Sequence, residues 1–416
     1  MPLRLEDTRS GERRTVRPRP GRPVTLYVCG PTVYDAAHVG HARPYLFFDV
    51  VRRFLAAEGT PVHHVMNVTD FEDKIDHRAA ELGLTWRALA RREEAGFFRD
   101  MDAFGILPPS ARPRASAFVP EIVRVVEALE RTGRVRREGD LWIYSPPDRP
   151  LGENFPNDSE LARHAVVEPD HPFPRREGAV GEFVVWKRQD PPLPSWKSRW
   201  GPGTPGWHLE CYAMARKLLD LPVDVHGGGL DLIYPHHHAE NETALALDRK
   251  PFARLFVHTA FVLQGGAKMS KSTGNLISLR TALARSSLGG LRWYLLSTPY
   301  QVRLQWNPRA LEIADREYRD LRRHLARWLS PGAGGALGAA PVRGLAEAAR
   351  RDLEEGLATH RVIARLRELS AQLARDPSER VASGERSAAR EAVRAVEEWT
   401  GIPLVPLRGP SGRRPR

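Results

Sequence analysis

The chain has 416 residues, 41% of them apolar, and a formal net charge of +12. That length exceeds what one hydrophobic core comfortably serves, so two or three domains are expected. No window approaches about 18 uncharged apolar residues, which excludes a membrane-spanning helix. The opening MPLRLEDTRSGERR lacks the apolar stretch of a secretory signal, and two cysteines far apart exclude a disulfide framework and fit a reducing cytoplasm. The positive excess fits a polyanionic partner, nucleic acid first. Only seven of the 63 basic residues are lysines, so an arginine-biased surface explains the charge equally well.

In chain order, residues 25–29 read as a buried strand stopped by Gly30-Pro31. Residues 42–57 carry apolar residues at helical spacing, and 61–69 (PVHHVMNVT) read as a second strand. Strand, turn, helix and strand over about 45 residues is the signature of a parallel sheet. Residues 75–135 read as helices broken at ILPPSARPRAS, and 140–205, rich in Pro, Gly, Asp and Trp, as an irregular β insertion. The parallel pattern returns at 206–265 with PVDVHGG and RLFVHTAFVL; from about 280 the chain is almost entirely helical. The stretch 330–341 reads as a flexible linker and the last residues as a disordered basic tail.

Three patterns carry chemistry. His38-Val39-Gly40-His41 follows a strand and turn and opens a helix near Ala42. Amides at a helix start favour anions, two imidazoles add donors, and Gly40 admits close approach of a phosphate. Lys268-Met269-Ser270-Lys271-Ser272 sits among Gly265, Gly266 and Gly274, which read as a mobile loop. Its lysines can close on charge that appears in a phosphoryl-transfer transition state. Either string alone is weak; about 230 residues apart in one chain they support each other. Third, Cys29 and Cys211 can join His236 and Glu240, an i, i+4 pair. Two thiolates, an imidazole and a carboxylate are permitted zinc ligands. His237 and His238 are also available, and the chemistry does not choose among them.

With these residues in view, the chain resembles class I aminoacyl-tRNA synthetases, and within them the cysteinyl-tRNA synthetases. The resemblance is carried in order by YVCGPTVYDAAHVGHAR, NVTDFEDKI, SWKSRWGPGTPGWHLEC, HGGGLDLIYPHH and KMSKSTGN. It implies an α/β Rossmann-type parallel sheet with an inserted connective region at about 110–205, together making a catalytic domain over 1–300. An all-α bundle of the tRNA-binding, anticodon type would follow over 301–405, then a disordered tail over 406–416. It implies activation of L-cysteine by ATP, with Mg2+, to an adenylate, and transfer of cysteine to the tRNA isoacceptor for cysteine, by a cytoplasmic monomer. Cys29, Cys211, His236 and Glu240 would ligate one Zn2+, which would also bind the substrate thiolate. His38, His41, Lys268 and Lys271 would carry catalysis. ATP would meet these together with Gly30, Thr32, Gly40, Met269 and Ser270. Thr69, Trp207, His208, His226 and Asp231 would line the amino-acid and adenylate pocket.

Some residues depart from the family pattern. PHHHAE replaces the usual PHHENE, bulky Tyr212 follows the second cysteine where a small residue is expected beside the metal, and Lys197 and Arg199 stand in a usual DSPWG. The C-terminal region also looks abbreviated. A related branch, the cysteine ligases of mycothiol synthesis, shares the fold and motifs but joins cysteine to an amino sugar. CGPTVYD, FEDKI and HGGG separate this chain from that branch, as does the lack of an ERGGDP string in the loop at 175–182. A non-catalytic tRNA-binding relative would be marked by loss of a signature lysine or metal ligand; all are present.

Overall fold

The computed structural model describes residues 3–147, 155, 181–269, 274–331, 340–375 and 380–405. A hairpin, β1 (Arg4–Glu6) and β2 (Arg13–Thr15), opens the chain. Then come β3 (Val24–Val28), α1 (Val39–Ala57) and β4 (Val62–Met66). Helices α2 (Asp73–Glu81), α3 (Trp86–Ala103) and α4 (Val119–Glu130) lead to β5 (Val135–Glu138), β6 (Leu141–Tyr144), β7 (Phe183–Arg188) and β8 (Gly203–Pro205). The parallel pattern resumes with α5 (His208–Leu218), β9 (Val223–Gly229), α6 (His238–Asp248) and β10 (Ala253–Thr259).

Strands β10, β9, β3 and β4 pair in that order, all parallel. Alternation along β3 serves two cores. Val24, Leu26 and Val28 join a cluster with Phe47 and Phe48 of α1, while Tyr27 and Cys29 join another with Val65, Trp186, Cys211 and Phe252. A strand covered on both faces needs an apolar run, which is why residues 25–29 were legible as buried. The chain leaves β3 toward β4 on one side and later returns to β9 on the other. The carboxyl end of β3 therefore lies at the switch point where parallel α/β sheets bind ligands.

Helix α1 begins at Val39, three residues before the expected Ala42. The His38 carbonyl accepts from the N–H groups of His41 and Ala42 at 2.9 and 3.1 Å, so His41 belongs to the first turn. The insertion is more regular than expected: β5, β6, β7 and β8 form an antiparallel four-stranded sheet. The remainder of the expected insertion (148–154 and 156–180), most of the linker (332–339) and the tail (406–416) lie outside the described residues.

Strands β11 (Val262–Gln264), β12 (Ala267–Lys268) and β13 (Leu304–Gln305) form a small sheet beside the carboxyl end of β10. Helices α7 (Leu279–Arg285), α8 (Leu288–Leu296), α9 (Pro308–Trp328), α10 (Ala340–Glu354), α11 (Thr359–Arg375) and α12 (Arg386–Thr400) complete the described chain. In α9 the Asn307 side chain accepts from the Arg309 and Ala310 N–H groups, and Pro308 occupies the first turn, where a missing N–H costs nothing. Its buried Leu311, Ala314, Tyr318, Leu321, Leu325 and Trp328 recur every three or four residues.

One buried ion pair ties these helices to the sheet domain. Arg292 of α8 is fully buried against Asp49 of α1 and donates to the carbonyls of Phe104 (3.3 Å), Gly105 (3.2 Å) and Thr400 (2.8 Å). Arg292→Met leaves a buried carboxylate short of its main partner, and urea denaturation should show a loss of about 3–5 kcal/mol.

Candidate active site and metal centre

A cleft of about 1240 Å³ opens at the carboxyl ends of the parallel strands. Cys29, Gly30, Thr32, His38, Gly40, His41, Trp207, Asp231, Lys268 and Met269 all line it. Close neighbours are why glycine stands at two of these positions, a backbone carbonyl at Gly30 and a histidine ring at Gly40. A Cβ on Gly30 would sit 1.6 Å from the Asn67 carbonyl oxygen, and one on Gly40 would sit 2.9 Å from the His38 ring. Asn67, which sequence reasoning passed over within NVTD, also accepts from the Gly30 N–H at 2.8 Å and so fixes the turn after Cys29.

The HVGH turn is held from the other side of the cleft. The Val39 N–H donates to the Ile277 carbonyl and the Leu279 N–H to the Ala37 carbonyl, both at 2.9 Å. His38 and His41 stack with ring centroids 3.7 Å apart, and the Nδ1 atoms of both are buried without a partner. Burial, with neighbouring His41 and Lys268, lowers His38 to about 2; burial and Lys268 lower His41 to about 4. Both rings are neutral at pH 7, so Lys268 is the cation beside them.

Lys268 stands on a defined hairpin. Gly265 and Gly266 have φ of 61° and 82° and join β11 to β12 in a two-residue turn that needs left-handed backbone. The expected mobile loop is therefore a tight turn over its first part. Lys268 Nζ lies 2.8 Å from Asp231 Oδ2 and 4.8 Å from the Phe261 ring centroid. Ser270 and Lys271 lie outside the described residues.

Behind Cys29 is the cluster expected from the ligand types. The donor atoms of Cys29, Cys211, His236 and Glu240 all lie within 4.8 Å of one another, and all four residues are buried. The two Sγ atoms are 3.7 Å apart, Cys29 Sγ is 3.9 Å from Glu240 Oε1, and His236 Nε2 is 3.2 Å from Glu240 Oε1. Helix geometry delivers Cys211 in the first turn of α5, and Glu240 in the first turn of α6 just after His236. His236 Nε2 is buried without a well-aligned hydrogen bond, which, with this donor chemistry, fits a metal ion.

The charges agree. Burial raises Cys29, with the Cys211 contact adding to it. For Cys211 the Cys29 contact and His236 outweigh burial and bring the thiol to about 6. For Glu240, His226 and His236 outweigh burial and bring it to about 2; for His236, Glu240 and Cys211 outweigh burial and raise it to about 10. A cation arriving among these donors would displace the His236 proton.

Of the remaining expected pocket residues, Thr69, His208 and His226 lie one layer back. His226 is fully buried and does not line the cleft: its Nδ1 donates to the Tyr27 carbonyl (3.0 Å) and its Nε2 lies 2.8 Å from Glu240 Oε2. His208 Nδ1 lies 3.2 Å from His236 Nδ1, and Thr69 Oγ1 lies 3.3 Å from Glu210 Oε2. Trp207 stacks on His236 at 4.2 Å between centroids. The open choice among neighbouring histidines is narrowed. His238 belongs to no donor cluster among the described residues, while His237 belongs to an overlapping set with Cys29, His226 and Glu240 and pairs with His258 at 2.7 Å. Tyr212, expected to crowd the metal, instead donates to Asp248 Oδ2 at 2.6 Å and packs near Phe252. Arg199 pairs with Glu130 at 3.4 Å, and Lys197 is exposed.

Comparison with known proteins gives the same reading. A family model described as the tRNA synthetases class I (C) catalytic domain matches residues 15–316. The cysteine–tRNA ligase of Anaeromyxobacter sp. (strain K) is 38% identical over 376 residues, covering 87% of this chain and 76% of the relative. That of Thermotoga maritima is 38% identical over 332 residues, covering 79% and 71%. Among solved structures, Mycobacterium tuberculosis methionyl-tRNA synthetase superposes with a TM-score of 0.63 at 17% identity, covering 92% of each chain. The LeuRS of Agrobacterium radiobacter K84 gives 0.64 at 12%, covering 92% of this chain and 84% of its own. The last two likenesses concern the fold; the sequence relatives and the family model are specific, and the chain belongs to the cysteinyl-tRNA synthetase family of class I synthetases.

Proposed function

We propose that this chain is an ATP-dependent cysteine–tRNA ligase. The observation that carries the reading is the buried Cys29–Cys211–His236–Glu240 cluster, which meets at Cys29 a cleft rimmed by HVGH and Lys268. The tRNA acceptor is favoured over an amino sugar because relatives matched along 76% of their own length are cysteine–tRNA ligases.

Zinc is the proposed occupant of the cluster, where it would supply a thiophilic Lewis acid toward the sulfur of the amino acid. The chain's own residues do the rest. Trp207 and Asp231 border the amino-acid side of the cleft, while Thr69, His208 and His226 hold Glu210, His236 and Glu240 behind it. Gly30, Thr32 and Gly40 leave backbone accessible to ATP, and neutral His38 and His41 offer ring N–H donors to its phosphates. Lys268 and Met269 form the opposite rim, with Ser270 and Lys271 continuing the same motif. With Mg2+ on the nucleotide, a cysteine carboxylate oxygen attacks the α-phosphorus. That O–P bond forms as the bond to pyrophosphate breaks, and pyrophosphate leaves with the electron pair. A ribose hydroxyl at the tRNA 3′ end then attacks the adenylate carbonyl. The ester C–O bond forms, AMP departs with the electron pair of the broken C–O bond, and the hydroxyl proton passes to its phosphate. Positioning and electrostatics carry both steps without a protein nucleophile.

Residues 1–300 would form the catalytic domain and 301–405 a tRNA-contacting helical domain, in a cytoplasmic monomer. Among the described residues no helix is long and apolar enough to cross a membrane. The test offers cysteine and ATP with either tRNA or glucosaminyl-inositol. Cysteine should be consumed only with tRNA; consumption with the amino sugar alone would reverse the acceptor.

A further inference from the structure

Cys29 follows the last residue of β3 and Cys211 stands in the first turn of α5, 182 positions away. A metal site tolerates only about 0.2 Å of error in its ligand distances, so both sulfurs must be placed. One buried side chain reaches the neighbours of both. Asn67 follows Met66, which ends β4 and pairs in register with Val28, so Asn67 and Cys29 leave the sheet side by side. Asn67 Oδ1 accepts from the N–H of Gly30, next to Cys29, at 2.8 Å. Its Nδ2 donates to Thr69 Oγ1 at 3.3 Å, and Thr69 Oγ1 donates to Oε2 of Glu210, next to Cys211, at 3.3 Å. The direction of this chain is fixed. The Gly30 N–H can only donate, so Oδ1 faces it and Nδ2 faces Thr69, whose one hydroxyl proton is left for Glu210. Asn67, Thr69 and Glu210 are all buried, where such bonds are strong and costly to leave unmade. Backbone bonds join the two loops into one piece: the Thr69 N–H donates to the Pro31 carbonyl at 3.1 Å and the Val33 N–H to the Thr69 carbonyl at 3.2 Å.

We propose that Asn67 is the positioning residue of the cysteine-recognition centre, setting the places of Cys29 and Cys211 from one point through the chain Gly30–Asn67–Thr69–Glu210. The inference rests on the metal-binding reading of the cluster and deepens it. Asn67 is not among the donors of the cluster and does not line the cleft, so it acts through the residues beside the two cysteines. Groups that orient metal ligands without touching the metal cost about 10- to 100-fold in affinity or activity when removed. The ATP side of the cleft stands on other elements, His38 and His41 at the start of α1 and Lys268 on β12. Loss of Asn67 should therefore fall on the metal and on cysteine, and spare ATP.

Co2+ is the probe, because its visible absorption reports the number and placing of thiolate ligands. Asn67→Ala cuts both arms of the chain; Thr69→Val cuts the arm to Glu210 with little change of shape and leaves the bond to Gly30. Wild-type protein should bind about one Co2+ per chain with thiolate-to-cobalt absorption. Both variants should bind it about 10- to 100-fold more weakly, with that absorption shifted and reduced. The double variant should lie within about twofold of Asn67→Ala, because the two side chains act in one chain. In ATP–pyrophosphate exchange by Asn67→Ala, KM for cysteine should rise about tenfold while KM for ATP stays within about twofold. Wild-type Co2+ affinity and absorption in Asn67→Ala, multiplicative losses in the double variant, or equal rises in both KM values would overturn the assignment. Failure of the wild-type protein to bind Co2+ would instead refute the metal reading beneath it.

Discussion

Cys29→Ser should yield folded protein that has lost its metal and nearly all cysteine activation. Cys29 is a central member of the cluster, 3.7 Å from Cys211 and 3.9 Å from Glu240, and it also borders the cleft. A hydroxyl there is a hard, protonated donor in place of a soft thiolate. Loss of a residue that merely orients a ligand already costs about 10- to 100-fold in metal affinity or activity, so loss of a ligand should cost more than about 100-fold. The serine is nearly isosteric and the site is small, so the thermal midpoint without metal should change little. Metal analysis and cysteine-dependent ATP–pyrophosphate exchange check both halves. A variant that keeps one metal per chain would remove Cys29 from the ligand set.

Lys268→Ala should slow activation while leaving cysteine binding intact. The lysine is held by Asp231 and over the Phe261 ring, beside two neutral histidines, so among the described residues it is a positive charge on the rim of the cleft next to HVGH. Removing one preorganised group that meets charge developing in the transition state costs about 10²–10³ in kcat. The expected pattern is therefore a fall of that order in the exchange rate with an unchanged Kd for cysteine. A parallel loss of cysteine affinity would make Lys268 a binding residue, and unchanged kinetics would leave the role to Lys271.

What could be read from the sequence follows from chain-local physics. Of the four parallel strands, β3 and β10 were legible from their apolar runs, because strands buried on both faces are rich in apolar residues. HVGH and KMSKS were legible because their residues are neighbours in the chain. The metal cluster could be proposed from ligand types, but only the fold brings Cys29 and Cys211 together across 182 positions. His226 was placed in the pocket wall and instead lies behind Glu240, because an alternating strand turns it to a side that spacing alone does not identify. Tyr212 was expected to crowd the metal; on α5 it points to Asp248. Arg292 gave no signal, since an arginine in an apolar helix is explained only by an acid more than 200 residues earlier.

The most direct test of cysteine selection through the buried cluster is ATP–pyrophosphate exchange on protein of measured metal content, with cysteine and serine compared. The expected result is about one metal per chain and exchange with cysteine. The preference over serine should exceed the roughly hundredfold that packing against an isosteric hydroxyl can supply. Metal-free protein that exchanges cysteine and serine at comparable rates would contradict it.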